Sequence, residues 1–334
     1  MELPDASIQS GFAAMVSRSA DAIRSGSVVA IGEVPVFVHA TDAKRALAMA
    51  ELLSGLERSD AEPRCSLVFD AGGAMVPSRV ADDELPDGEA WQDGATFAMR
   101  HASGLVAAAD AIDARISGDA EHLRWPFRRL FHPTITHLLA HQGHFVVHAA
   151  AVADDGGAVL VLGGSGQGKS TAATAALRAG SDVLGDDLVV LVPRAHGGHD
   201  VIGVPRPMAV PSDVLGDVSG TTPILGDPRR RVEVAPDRLS APARPLAAIV
   251  ISDHVERGNA TLERELPSVV LGEVLSSFTA TRNPVLLRAF FPHASTLSHV
   301  PAWRLRHSSD PRVRLDEAAA LLADVRASVR SGRS

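Results

Sequence analysis

The 334-residue chain has no tyrosine, one cysteine and only two lysines, Lys44 and Lys169. Each scarcity excludes something. Without tyrosine, no phenol can serve as acid, base or nucleophile. Cys65 alone cannot close an internal disulfide, so a reducing cytoplasm is expected. Its setting, RCSLVFD, reads as a strand with a buried, inert thiol. Trp91, Trp125 and Trp303 are too dispersed to form a box for a nucleobase. No apolar run reaches the roughly 20 residues of a membrane span. MELPDASIQS carries no basic region, so no signal peptide is expected. Basic charge does not dominate either: 32 Lys+Arg against 40 Asp+Glu give a net charge of −8. That argues against nucleic acid as an electrostatic partner. A homo-oligomer is compatible with all of this.

What is there is concentrated in one stretch. Val159 to Leu162 reads as a short buried strand, and Gly163-Gly164-Ser165-Gly166-Gln167-Gly168-Lys169-Ser170 is a complete G-x-x-x-x-G-K-[ST] loop. Thr171 to Ala179 is Ala-rich and helix-forming, and Gly180 stands where a helix end favours a left-handed residue. Glycines let backbone N–H groups turn onto phosphate oxygens, and a helix N-terminus adds partial positive charge. Lys169 reaches the β- and γ-phosphates, and the Ser170 hydroxyl serves a magnesium ion. The background uses arginine almost everywhere, so a lysine here is informative: a planar guanidinium does not replace a compact ammonium. The nucleotide-binding set is therefore Gly163 to Thr171.

Asp186 and Asp187 follow the loop helix on the next strand. Strand–loop–helix–strand topology is expected to return that strand beside the first, with both carboxylates at the phosphate end. One of them holds the metal and the other takes a proton from an attacking hydroxyl. His148, among Ala149, Ala150 and Ala151, lies on the strand before the loop strand and is expected near the γ-phosphate. His137, His141, His144 and His148 invite a zinc reading, but His137 has no H-E-x-x-H glutamate and no cysteine is near. Arg206 and the run Arg229-Arg230-Arg231 are candidates for phosphate or an acidic substrate.

The rest reads as α+β. Helices are expected over 11–25, 42–56, 267–280 and 315–329, and from Pro133 to Gly143. Strands are expected over 27–40 (two, joined near Gly32), 65–69, 96–116 (two, around Ser103-Gly104), 144–152, 182–192 and 246–252, with a late edge strand over 302–307. Two domains are expected: 1–125, α+β, for substrate recognition, and 126–334, catalytic.

From His148 through Asp187 the chain resembles the catalytic core of HPr kinase/phosphorylase, whose fold is similar to that of phosphoenolpyruvate carboxykinase. The matching run, Phe145 to Val190, has the same order: histidine, phosphate loop, paired carboxylates. The resemblance implies a P-loop kinase domain that binds ATP and Mg²⁺. It implies a base at Asp186, a metal ligand at Asp187 beside Ser170, and a supporting His148. The preceding helix and the P-R-P segment resemble HPr-kinase-related proteins found beside peptide-modification genes, some of which phosphorylate a serine of a lasso-peptide precursor. In HPr kinases an E-I-R-G-type signature follows. Here that region reads GVPRPMAVPSD, with Arg206 in the arginine's place and no glutamate before it. The expectation is a kinase acting on a hydroxyl, a serine of a peptide or small protein, rather than on HPr. A small-molecule kinase and a non-catalytic nucleotide-binding regulator are the alternatives.

Overall fold

The computed structural model describes residues 6–53, 56–72, 76–78, 81, 83–85, 88–93, 95–119, 124–204, 208–215, 221–223, 229–232, 243–254, 258–280, 283–308, 310–311 and 313–331. They form a mixed α/β protein of two compact units. One holds 6–146 and 279–289; the other holds 147–278 and 290–331. The division falls at 146/147, later than the expected 125/126, so the helix before the phosphate-loop segment belongs to the N-terminal unit.

That unit runs α1 (Ala6–Ser25), β1 (Ser27–Ile31), β2 (Val34–Ala40), α2 (Ala43–Leu53), β3 (Cys65–Asp70), β4 (Asp83–Leu85), β5 (Gly88–Asp93), β6 (Thr96–His101), β7 (Val106–Ala109), β8 (Asp113–Ser117) and α3 (Arg124–His141). Its sheet has the order β1-β2-β3-β8-β7-β6-β5-β4. The β1–β2 hairpin turns at Gly32 and Glu33, both at positive φ (57° and 68°), the signature of a tight hairpin turn. The 96–116 region makes three strands rather than two. Burial pushes the Cys65 thiol up to about 11, which leaves it protonated and inert. A buried arginine ties the unit together. Arg45 is 6% exposed; its Nε donates to Asp70 O (2.9 Å), another nitrogen to Gly118 O (2.6 Å), and a third pairs with Asp42.

Pro133 does not open α3 but lies inside it, nine residues from its start. An interior proline costs about 3 kcal/mol. Phe127, Leu130, Phe131, Ile135, Leu138 and Leu139 are buried to within 1%. Each such side chain contributes about 1.5–3 kcal/mol, so burial wins over the proline.

The chain crosses between units in β9 (Phe145–Val147). The second unit then contains β10 (Ala150–Asp154), β11 (Gly157–Leu162), α4 (Lys169–Arg178), β12 (Asp182–Asp186), β13 (Val189–Pro193), β14 (His199–Gly203), β15 (Met208–Pro211), α5 (Ser212–Leu215), β16 (Thr221–Pro223), β17 (Arg229–Val232), β18 (Arg244–His254), β19 (Thr261–Arg264) and α6 (Pro267–Ser277). After α7 (Pro284–Leu297), in which the chain crosses back, come β20 (Ala302–His307) and α8 (Arg314–Arg330). The expected strand over 144–152 is broken at His148 into β9 and β10. Likewise 182–192 is two strands, β12 and β13, parted at Asp187.

The central sheet reads β12-β10-β11-β18-β20-β19. β12 does not lie beside β11, as expected; β10 lies between them, antiparallel to both. β11 and β12 therefore still run parallel, and Val161, Ala150 and Asp186 form one row across the sheet. β18 and β20 are parallel to β11, and β20 is internal rather than an edge, because β19 covers its outer side. β11 is buried on both faces, which is why it is a continuous apolar run. α4 lies on the sheet through Ala172, Ala173, Ala175 and Ala176, all within 1% of full burial; only small side chains allow so close a contact. Gly180 (φ 91°) ends α4, and Ser181 N–H returns to Ala176 O at 3.0 Å.

β14 pairs antiparallel with the start of β18 in the same sheet, and it also crosses the end of β12. A Cβ on Gly203 would fall 1.5 Å from Leu184 O, and one on Gly185 would fall 2.9 Å from Gly203 Cα. The glycine before Asp186 is thus a crossing point of two backbones. The run Arg229–Arg231 is on β17, paired with β15 and β16. Among the described residues no helix is long and apolar enough to cross a membrane.

Candidate active site

The site begins where β11 ends. Gly163 (φ 141°), Gly166 (φ 80°) and Gly168 (φ 93°) take conformations that residues with a Cβ avoid. They turn the chain from β11 into the first turn of α4. Gly168 caps α4 without any side-chain hydrogen bond, so the helix N-terminus keeps its N–H groups for an anion. Ser165 and Gly166 are exposed at the tip, and Gly164 N–H bonds the Gln167 side chain.

Lys169 is 6% exposed, and its ammonium donates to Gly163 O (2.8 Å) and Gly164 O (3.0 Å). Burial pulls its pKa below the ordinary lysine value, while the nearby Asp186 charge acts the other way. An ammonium resting on its own loop can pass to phosphate oxygens, which return more charge than two carbonyls do.

The Ser170 hydroxyl donates to the Asp186 carboxylate, 2.8 Å from Oδ2 and 3.0 Å from Oδ1. Ser170 thus bonds Asp186, the expected base, directly, rather than Asp187, its expected partner at the metal. Asp186, 2% exposed at the end of β12, is the carboxylate on the serine. Asp187 turns away at φ 68°, a left-handed conformation that aspartate tolerates better than most residues. Its carbonyl receives the His148 Nδ1–H at 3.2 Å, and its carboxylate lies 4.0 Å from the same nitrogen. His148 sits in the break between β9 and β10, held by its N–H on Ser277 O at 2.7 Å. Two pairs result, Ser170–Asp186 and His148–Asp187, on successive residues of one strand end.

A magnesium ion with ATP fits this donor set. A hydroxyl, two carboxylates and an uncapped helix end give oxygen ligands and N–H donors, and Mg²⁺ takes its remaining ligands from phosphate and water. Thr171, 4% exposed, packs in the first turn of α4. Arg206 lies outside the described residues. His137 and His141 are packing residues: His137 Nε2 bonds Ala95 O at 2.7 Å and its ring stacks on Phe97.

Three residues that sequence reasoning passed over back the loop: Ser252 and His254 at the end of β18, and His307 at the end of β20. The Ser252 hydroxyl donates to Gln167 O (2.7 Å), His254 Nε2 to Gly166 O (2.9 Å), and His307 Nε2 meets Ser252 Oγ (2.8 Å). The signal was present in IVISDH, an apolar run, and WRLRHSS, an alternating one, both ending in polar residues. Nothing local says that those ends flank the loop.

No protein-family profile matches the chain, and no curated protein matches it. Among solved structures it is similar to the Hpr(Ser) kinase/phosphatase from Coxiella burnetii, at 14% identity over 55% of this chain and 98% of that one, with a TM-score of 0.29. A likeness of that depth decides nothing about activity.

Proposed function

We propose that the chain is an ATP- and Mg²⁺-dependent kinase that transfers the γ-phosphate to a hydroxyl, with a serine of a peptide or small protein as acceptor. The observation that carries this is the Ser170–Asp186 hydrogen bond beside a buried phosphate-loop lysine. It sets a buried carboxylate beside a nucleotide loop, which supports a base close to the phosphates. Lys169 and the loop N–H groups hold the phosphates. Ser170, once the nucleotide draws its hydroxyl off Asp186, would hold the magnesium ion together with Asp187, and the ion would neutralise phosphate charge. Asp186 accepts the acceptor's hydroxyl proton as the new O–P bond forms and the bond to the ADP oxygen breaks. His148 fixes Asp187 through its backbone carbonyl. The resemblance of Phe145 to Val190 to HPr kinase supports the same roles, with Arg206 at the γ-phosphate and the N-terminal unit recognising the acceptor.

The test is labelled ATP with the serine peptides encoded beside this gene, read by mass spectrometry. The expected result is phosphoserine that disappears in Lys169→Ala and Asp186→Asn. Labelling of a free metabolite alone would make it a small-molecule kinase, and ATP binding with no labelled acceptor would make it a regulator.

A further inference from the structure

The carbonyls on the outer side of the phosphate loop are held by a relay on β18 that starts one residue beyond its last pair with β11, Leu162 with Ile251. Register pairs Leu162 with Ile251 and His254 with His307, so β18 and β20 outrun β11 and form a wall beside the loop. On that wall Ser252 is fully buried, as is His307. The Ser252 proton goes to Gln167 O, so Ser252 Oγ must accept from His307 Nε2–H. That fixes the tautomer: His307 Nδ1 is unprotonated, and among the described residues it has no hydrogen-bond partner. The ring is neutral, since burial, His254 and Arg314 outweigh Gly168 and Asp253 and pull its pKa down to about 3. Leaving a buried ring nitrogen unbonded costs stability, so the ring is held in place by its bond to Ser252 and its contact with the Gly168 backbone.

A trans peptide points its C=O and the next N–H in opposite directions. Fixing Gln167 O on Ser252 therefore aims Gly168 N–H away from the wall. His254 does the same for Gly166 O and Gln167 N–H, which turns back to Gly164 O at 3.3 Å. The wall also dictates the sequence of the loop. A Cβ on Gly168 would lie 2.5 Å from His307 Cδ2 and 2.6 Å from its Nε2, so the ring fills the space that glycine leaves. Gly166, in contrast, has open space around it.

We infer that Ser252 and His307, seconded by His254, are positioning residues that preset the phosphate loop for the nucleotide. The inference rests on the phosphate-loop reading above and adds to it the residues that shape the loop. They touch no phosphate; they act through the peptide of Gln167 and Gly168.

The experiment is hydrogen–deuterium exchange on the full chain, followed by titration with ATP and Mg²⁺. The variants are Ser252→Ala, His307→Phe, which keeps ring bulk without the donor, and His307→Gln, whose amide nitrogen falls near the Nε2 position. Losing one such bond is expected to speed exchange of the loop amides and to weaken ATP binding, each about five- to tenfold. Peptides from β14 should be unchanged in all variants, and His307→Gln should recover most of both effects. Unchanged loop exchange in Ser252→Ala and His307→Phe would overturn the inference. So would His307→Gln behaving as His307→Phe while Ser252→Ala stays at wild type. If His307→Phe does not fold, Ser252→Ala alone decides, because it removes only an oxygen. Loop exchange that responds as expected in a protein that binds no ATP would leave the relay standing and refute the nucleotide site.

Discussion

Two buried cations invite comparison, Arg45 in the N-terminal unit and Lys169 in the other, each 6% exposed. Arg45 has its fork filled by Asp70 O, Gly118 O and the Asp42 carboxylate. Lys169 rests on two neutral carbonyls of its own loop. Two carboxylates repeat the contrast. Asp70, 8% exposed, accepts the Ser117 hydroxyl at 2.6 Å and pairs with Arg115 at 3.2 Å. Asp186, 2% exposed, accepts the Ser170 hydroxyl next to the phosphate loop. Burial alone does not mark a functional charge. On the proposed function, what marks one is burial with partners that a ligand can replace: a loop's own carbonyls, or a hydroxyl with somewhere else to go.

The largest test of this contrast swaps the two cations for neutral residues. Lys169→Ala should lower ATP turnover by about 10³-fold while the fold stays intact. Arg45→Met should do the opposite, destabilising the N-terminal unit by about 3 kcal/mol because buried acceptors lose their donor. Denaturant curves and steady-state turnover, measured on both variants, separate the two. A Lys169→Ala chain that unfolds like Arg45→Met would erase the distinction.

The carboxylates come next. Asp186→Asn should cut transfer by about 10²-fold or more while ATP still binds. Asp187→Asn should instead raise the Mg²⁺ concentration needed for half-maximal rate. If the two phenotypes are exchanged, the base and the metal ligand are exchanged with them. Asp70→Asn should change neither and cost only stability.

Acid should reach both units through buried histidines. His137 and His199 are held at about 4 and His307 at about 3, each chiefly by burial. These native values lie below the ordinary 6.5, so the unfolded chain takes the protons first. Stability is full above that value and is lost as pH falls toward 4. Each histidine contributes a slope near 1.4 kcal/mol per pH unit in that window. His137→Gln should flatten the acid limb of the N-terminal unit and His199→Gln that of the other, as followed by chemical denaturation at a series of pH values.

The smallest effect compares two glycines in the same loop. Gly166→Ala meets open space and should cost about 1–2 kcal/mol of backbone strain. Gly168→Ala adds a clash with His307, so its cost in stability and in ATP affinity should exceed that of Gly166→Ala measured side by side.

Much of the site was legible because it is local. The loop, its strand and helix, the glycine after the helix and the Asp-Asp pair lie within thirty residues, where propensity and spacing speak directly. Three things were not legible. β10 separates β11 from β12, because an antiparallel strand from before the loop takes the neighbouring place. The wall of Ser252, His254 and His307 comes from β18, which pairs with β11 over a long sequence separation, and from β20, which pairs with β18, and periodicity does not report pairing. α7 was missed, and α3 was begun too late because Pro133 reads as a helix start; both helices hold an interior proline, Pro292 and Pro133, which burial of Phe290 and of Phe127 with Phe131 overrides. In the N-terminal unit, the fork of Arg45 joins residues 25 and 73 positions apart, which no local pattern announces.

The parallel pairing of β11 with β18 has a consequence for synthesis. A nascent chain that has emerged only as far as β17 already carries the whole phosphate-loop motif and both aspartates. It lacks β18 and β20, and with them the wall that the loop leans on. Closing so long a segment is slow compared with forming α4. Nucleotide affinity should therefore arrive only once β18 and β20 have been made, and a fragment ending at 243 should keep the motif while losing the binding.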